Sequence, residues 1–220
     1  KANRYLAPFA KKIFVSYKDI RGISTKYKSK ITTIGNILRE NILNYSKIKK
    51  DETSNELNIL VLGGSQAAKI FAEKLPDIFI RCQKNHINLK IYQQCLSEQK
   101  LNLQKKYDDN SINCELFNFT FDIIKYYNLV NLVITRSGSS ALAEALNCKI
   151  PIISIPLSSS SENHQLKNAQ YFSEKGFGIM LEEKDLNNGL FNLLQSIHND
   201  KSMLKSIEAN QKKHSDKNVF

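Results

Sequence analysis

No stretch of this 220-residue chain approaches the roughly 18 consecutive apolar residues that a membrane-spanning helix requires. Cysteine is sparse too: Cys82, Cys95, Cys114 and Cys148 lie far apart, with neither metal-ligand nor redox spacing. That spacing argues against a disulfide framework or a cysteine metal site, and reduced thiols in a cytosolic protein are the expected state. Acids are outnumbered, 21 against 32 Lys and Arg, which leaves a formal net charge of +11. A charge of that size invites a nucleic-acid reading. The bases are mostly Lys, however, scattered among Asn and Ile, and only Lys11-Lys12, Lys26–Lys30 and Lys47–Lys50 cluster. Such scatter builds no groove, so nucleic acid is not an expected partner. All three clusters fall in the first fifty residues, where a solvated loop and a basic face toward an anionic membrane both fit. The chain also lacks an internal repeat, a low-complexity linker and a complete Gly-x-Gly-x-x-Gly dinucleotide fingerprint.

What is present is ample for a core: 41% of the residues are hydrophobic. From Leu57 onward, apolar strand-like runs alternate with helical ones. Strands are expected at Leu57–Leu62, Ile87–Tyr92, Asn113–Phe117, Asn131–Thr135, Pro151–Ile155 and Gly178–Leu181. Helices are expected near Ala67–Lys84, Ser97–Lys106, Phe121–Tyr127, Ser140–Asn147, Asn163–Lys175 and Lys184–Ile197. That alternation calls for an α/β fold, a parallel sheet with helices on both faces. Pro76 is expected to kink or split the first helix. The last segment, Lys201–Lys213, reads as a polar helix with few apolar anchors. The opening residues differ. A helix over Asn3–Lys12, a strand at Ile13–Ser16, a basic loop and Lys30-Ile-Thr-Thr-Ile-Gly-Asn36 carry too little apolar face to fold alone. Residues 1–40 therefore read as the end of a preceding domain, with Glu40–Glu56 as the joint to a main domain over residues 41–220. The chain does not open on Met, which fits a piece of a longer protein.

Two turns carry chemistry. Asn131-Leu-Val-Ile134 delivers the chain into Thr135-Arg-Ser-Gly-Ser-Ser-Ala-Leu-Ala-Glu144, a small-residue turn opening a helix that bears an acid. Backbone N–H groups at such a helix start can hold a diphosphate, and Glu144 can accept hydrogen bonds from ribose hydroxyls. Gly63-Gly-Ser-Gln66 is the second turn. Its paired glycines let the backbone approach a phosphate, and Ser65 adds a hydroxyl donor at the helix start. An ordinary βα turn capped by Ser and Gly leaves the same trace. Two such turns after apolar strands are better, because ligands of open α/β sheets gather at the carboxyl ends of the strands. A third apolar run, Lys149-Ile-Pro-Ile-Ile-Ser-Ile-Pro156, leads through a polar loop to Glu162-Asn-His-Gln165.

In their order along the chain these motifs resemble the MurG family, the N-acetylglucosaminyltransferases of bacterial peptidoglycan synthesis. Asn3-Arg-Tyr-Leu-Ala-Pro-Phe-Ala10 resembles the last helix of the family's acceptor domain. Gly35-Asn-Ile-Leu-Arg39 resembles its Gly-Asn-Pro-Val-Arg, and Gly63-Gly-Ser-Gln66 its Gly-Gly-Ser-Gln-Gly. Phe119-Thr120, Arg136-Ser-Gly138, Glu144 and His164-Gln165 then follow in family order. The resemblance implies a GT-B glycosyltransferase, with two Rossmann-like domains facing a cleft. This chain would supply the C-terminal, doubly wound donor domain and a remnant of the other. Ser65 and the backbone of Gly138, Ser139, Ser140, Ala141, Leu142 and Ala143 would hold the diphosphate of UDP-GlcNAc. Glu144 would bind the ribose, the backbone of Thr120 would read the uracil edge, His164 and Gln165 would contact the sugar, and Arg39 would reach the donor from the joint.

The resemblance further implies transfer of GlcNAc, with inversion, to the C4 hydroxyl of the MurNAc of lipid I. The enzyme would sit peripherally on the cytoplasmic face of the inner membrane. No catalytic residue is expected within this chain, since the family's candidate base belongs to an upstream segment, and the reading needs no metal or other cofactor. Some positions depart from the family pattern. The Gly35–Arg39 segment lacks the proline, Ala67 replaces a glycine, Thr120 replaces an aliphatic residue, and Ser158–Ser161 is a longer, plainer loop. Two alternatives stay open: a fragment that binds UDP-sugar without activity, and another GT-B enzyme such as a UDP-GlcNAc 2-epimerase.

Overall fold

The computed structural model describes residues 5–16, 23–45, 56–157 and 163–214, with backbone alone at residues 64–68. Near the start, β1 (Ile13–Val15) pairs in parallel with β2 (Ile31–Thr33). The helix expected over Asn3–Lys12 is reduced, among the described residues, to Tyr5 and Leu6 followed by a turn. Pro8 accounts for this, because the residue before a proline is disfavoured in helical conformation. The basic loop contains a 3-10 helix, Thr25–Lys30, and Lys30 Nζ donates to the carbonyls of Pro8 (2.9 Å) and Ala10 (2.8 Å). One member of the Lys26–Lys30 cluster therefore serves as an internal tie.

A short helix, α1 (Glu40–Leu43), precedes the main sheet. Six parallel strands follow: β3 (Leu57–Leu62), β4 (Leu89–Gln94), β5 (Asn113–Phe117), β6 (Leu132–Thr135), β7 (Ile152–Ser154) and β8 (Ile179–Met180). Their spatial order is β5-β4-β3-β6-β7-β8, the doubly wound order in which the first strand lies at the centre. Both faces are covered, and the strands show it in their alternation. Leu57, Ile59 and Val61 enter one core with Leu132, Ile134, Ile153 and Ile155, while Leu60, Val133 and Ile152 enter the other. The first core is roofed by α2 (Gly64–Lys84), α3 (Lys100–Asp108) and α7 (Leu186–Asn199). The second is roofed by α4 (Ile123–Tyr127), α5 (Ser139–Asn147) and α6 (His164–Glu174), with Leu38 and Ile42 of the joint buried among them.

Helix α2 is continuous through Pro76, contrary to the expected split. Phe71, Leu75, Ile78, Phe79 and Cys82 recur at helical spacing and are all buried, so packing of this stripe outweighs the one backbone hydrogen bond that proline removes.

The closing helix, α8 (Ser202–Lys213), is held by a polar anchor as well as by Leu204 and Ile207. Gln211 is fully buried, and its Nε2 donates to the carbonyls of Ile150 (3.0 Å) and Phe177 (2.8 Å). Gln211→Leu strands both carbonyls and should cost about 1–3 kcal/mol, read as a lower thermal midpoint. An unchanged midpoint would mean that these bonds do not hold α8.

Burial pushes the thiols of Cys82 and Cys148 up to about 12 and that of Cys114 to about 11. The native protein should therefore resist a thiolate-selective reagent at pH 8 and react fully once unfolded. The sign for stability follows. These folded-state values lie above the unfolded ones, so the stabilisation is complete below about pH 8.5 and fades as pH rises toward 11–12. A melting temperature that held constant from pH 8 to pH 11 would contradict this.

Candidate functional site

The chain reverses its winding direction between β3 and β6, and there the two turns meet. Leu62 is paired with Thr135 in the parallel ladder, so Gly63 and Arg136 leave neighbouring strands at the same level, about 4.8 Å apart. Each turn runs straight into a helix, α2 with Gly63 as its N-cap and α5 with Gly138. Neither N-cap makes a side-chain capping bond. Two helix N-termini, each equivalent to about half a positive charge, therefore lie side by side at the carboxyl edge of the sheet. The Gly63 N–H donates to Gln94 Oε1 (3.3 Å), which ties this turn to the next strand. Ser65 lies in the first turn of α2, and its side chain is outside the described residues.

At α5 the structure narrows the expected donor set. The Leu142 N–H donates to Gly138 O (3.1 Å), and the side chains of Leu142 and Ala143 are fully buried. An α-helix engages every amide after its first few, so Leu142 and Ala143 belong to the core. The amides of Gly138, Ser139, Ser140 and Ala141, the four that a helix start leaves without an internal partner, make no hydrogen bond among the described residues. Gly138 adopts φ −68° and ψ 135°, open to any residue, and an added Cβ would meet nothing within 4 Å. Neither backbone strain nor packing among the described residues demands glycine there. Close approach of a ligand would.

Glu144, the second-turn acid, is enclosed from two sides. Arg39 Nη2 lies 3.0 Å from its Oε1 and 3.2 Å from its Oε2. The Tyr127 hydroxyl donates to Oε2 over 3.3 Å. Arg39 is delivered by a segment docked on α4 and α5: Asn147 Nδ2 donates to Ile42 O (2.6 Å) and the Tyr45 hydroxyl to Tyr127 O (3.3 Å). The Arg39 side chain is 47% exposed, so the ion pair itself contributes at most about 1 kcal/mol. Tyr127 is fully buried, and that burial, with Glu144 beside it, drives its pKa well above 10. The hydroxyl stays a donor.

The remaining expected residues ring the same edge. Thr120 follows β5, and its Oγ1 accepts from the Asp122 N–H (3.0 Å). Thr120 is half-buried, and no hydrogen bond among the described residues engages its backbone amide or carbonyl. Flanking it, Phe119 and Phe121 are exposed, edge to face at 4.8 Å. Gln165, in the first turn of α6, uses its Oε1 to accept from the Leu157 N–H (2.9 Å), which fixes the end of the β7 loop. His164 is the exposed first residue of α6. The loop Ser158–Ser161 lies outside the described residues. A cavity of about 460 Å³ lies beyond the end of β7, walled by Pro156, Leu157, Asn163, Leu166, Glu183 and Lys74, next to His164 and Gln165 at the start of α6. Among the described residues, no three or more His, Cys, Asp or Glu side chains gather as metal ligands would.

The turn after β6 also holds a residue whose role the motif alone did not reveal. Arg136 is buried, and its Nη1 donates to Glu183 Oε2 (2.9 Å), Ile155 O (3.3 Å) and Pro156 O (3.5 Å), while its guanidinium packs on Phe71 at 4.9 Å. It joins the ends of β6 and β7 to the turn before α7. Asn168 adds a second tie, donating to Ser137 O (3.0 Å). The sequence signal for Arg136 is a cation placed directly after four buried strand residues.

The profile of the glycosyltransferase family 28 C-terminal domain matches residues 58–219, which takes in both turns, Glu144 and α6. The chain belongs to glycosyltransferase family 28. Among curated members, a Pelagibacter ubique protein is 35% identical over 201 residues, covering 89% of this chain and 56% of its own. It is named UDP-N-acetylglucosamine–N-acetylmuramyl-(pentapeptide) pyrophosphoryl-undecaprenol N-acetylglucosamine transferase. A protein of the same name from Rickettsia felis is 36% identical over 194 residues, covering 84% of this chain and 54% of its own. The chain spans about half the length of these curated relatives. Among solved structures, MurG of Acinetobacter baumannii superposes with a TM-score of 0.77 at 21% identity, over 99% of this chain and 60% of its own. The family 28 chain thus has the Rossmann-like parallel sheet of a GT-B glycosyltransferase.

Proposed function

We propose that this chain is the donor-binding half of an enzyme that transfers GlcNAc from UDP-GlcNAc to the C4 hydroxyl of the MurNAc of lipid I. Residues 1–40 belong in this reading to the acceptor-side domain and residues 41–220 to the donor domain. The observation that carries it is the pairing of two helix N-termini at the switch point with Glu144 one turn further along α5. The amides of Gly138, Ser139, Ser140 and Ala141, with Ser65 at the neighbouring turn, hold the diphosphate. Glu144 takes the ribose hydroxyls, the open Thr120 backbone reads the uracil edge, and Gln165 and His164 meet the sugar. The names of the curated relatives support the donor and the acceptor. A place on the cytoplasmic face of the membrane belongs to the same reading, because its acceptor is lipid-linked.

In the transfer, the acceptor oxygen forms a bond to the anomeric carbon as the bond from that carbon to the diphosphate breaks. The two helix dipoles and Arg39 would stabilise the charge that develops on the leaving UDP, an effect exerted in the transition state. The acceptor proton goes to a base that we assign to a part of the enzyme outside this chain.

Calorimetric titration with UDP-GlcNAc, with ADP-glucose as control, tests the reading. Selective binding of the uridine donor is expected, and Ser65→Ala should weaken it by about 1–3 kcal/mol, the scale of a lost hydrogen bond to a charged group. Equal affinity for the two donors, or none for either by a folded chain, would reject it.

A further inference from the structure

We propose that Tyr127 is the positioning residue for ribose recognition, and that Arg39 holds, in the free protein, the place on Glu144 that a ribose hydroxyl takes. This rests on the reading of Glu144 as the ribose ligand and goes a step beyond it. A carboxylate offers about four acceptor positions, two on each oxygen. Here Oε1 receives one contact, from Arg39 at 3.0 Å. Oε2 receives two, from Arg39 at 3.2 Å and from the Tyr127 hydroxyl at 3.3 Å. A vicinal diol that engages both oxygens finds a position open on Oε1 and none on Oε2. One of the two present donors must leave.

Their surroundings decide which. Tyr127 is fully buried in the core with Leu142 and Leu146, and its backbone is held by the Tyr45 hydroxyl. Withdrawing its hydroxyl from Glu144 would leave a buried donor unpaired, which costs the full desolvation penalty of that group. Arg39 is 47% exposed, and returning a guanidinium of that exposure to water costs far less, because solvent already screens the pair. Arg39 therefore leaves and Tyr127 stays. The tyrosine keeps Oε2 half-occupied and the carboxylate fixed in rotation, so the diol meets one defined orientation. The released guanidinium, carried by a segment anchored through Leu38 and Ile42, becomes available to the diphosphate. Ribose binding thus exchanges an internal ion pair for a contact with the donor.

The test uses the intact chain and four titrations: uridine, UDP, 2′-deoxy-UDP and UDP-GlcNAc. The wild-type protein should prefer UDP to 2′-deoxy-UDP by about tenfold, the value of one hydrogen bond. Tyr127→Phe, which keeps the ring, should bring that ratio close to one, a change that loss of packing alone would not produce. Arg39→Ala should bind uridine severalfold more tightly, since nothing then competes for Glu144, and UDP less tightly. The opposite signs for the two ligands are the signature. Discrimination unchanged in Tyr127→Phe, or uridine bound more weakly by Arg39→Ala, would overturn the inference while leaving the donor site standing. A wild-type chain that distinguishes none of the ligands would overturn both. Should Tyr127→Phe fail to fold, the sign inversion at exposed Arg39 still decides.

Discussion

Glu144→Ala should lower the affinity for UDP by about 10- to 100-fold, which corresponds to roughly 1.4–2.8 kcal/mol. The carboxylate is the only acidic group within hydrogen-bonding distance of both Arg39 and Tyr127 among the described residues, and it sits one turn beyond the free amides of α5. Removing it takes away the acceptor we propose for the ribose and also strips Tyr127 of its partner. A second effect must accompany the first: a buried hydroxyl without a partner destabilises the fold by about 1–3 kcal/mol, so the thermal midpoint falls. Glu144→Gln separates the two. The amide preserves a partner for Tyr127 but loses the ion pair to Arg39 and one acceptor oxygen, so stability should return while UDP affinity stays reduced. Titration and melting curves on both variants check this. Full UDP affinity in Glu144→Ala would mean that the nucleotide lies elsewhere on the sheet edge.

The sheet was legible because buried parallel strands announce themselves as short apolar runs between helices, and β3 and β5 fall where those runs predict. The misses have local causes. Ile87 looks like the start of β4, yet its N–H donates to Cys82 O (3.1 Å) after His86 adopts φ 59°, so it closes the end of α2 and the strand begins at Leu89. The 3-10 turn at Thr25–Lys30 carries no apolar periodicity, and what fixes its end is a lysine reaching carbonyls some 20 residues back. The candidate site was legible as two turns and an acid, which the fold brings to one edge of the sheet. Tyr127 was not, since it lies 17 residues from Glu144 and meets it only through the packing of α4 on α5. Its one sequence trace is a tyrosine at a core position of a helix, where a phenolic hydroxyl must find a partner. The restriction of unpaired amides to Gly138, Ser139, Ser140 and Ala141 follows from helix geometry once α5 is known to start at Ser139.

Arg136→Met is expected to give the largest loss of stability, about 3 kcal/mol, seen as a fall of roughly 6–12 °C in the melting temperature. Methionine keeps the length of the side chain and its packing on Phe71, so the loss isolates the polar contacts. Those contacts are one carboxylate and two backbone carbonyls, all served by a single buried nitrogen. Deleting the cation leaves Glu183, only 19% exposed, with Lys74 at 3.7 Å as its sole opposite charge among the described residues. The cost is that of stranding one member of a largely buried pair, and such pairs differ from their surface counterparts in what happens when both members go. Arg136→Met combined with Glu183→Met should therefore recover at least half of the loss, even though it removes more hydrogen bonds than the single change. Recovery in the double variant identifies unpaired charge as the cause; no recovery would assign the loss to the carbonyls of Ile155 and Pro156. Ligand binding reports the same architecture from the other side. Arg136 lies one residue from Ser137, whose carbonyl is held by Asn168, so it stabilises the turn that presents Gly138 and the α5 amides. UDP affinity in the single variant should fall although Arg136 is buried beneath the site, and the double variant should regain affinity in step with its melting temperature.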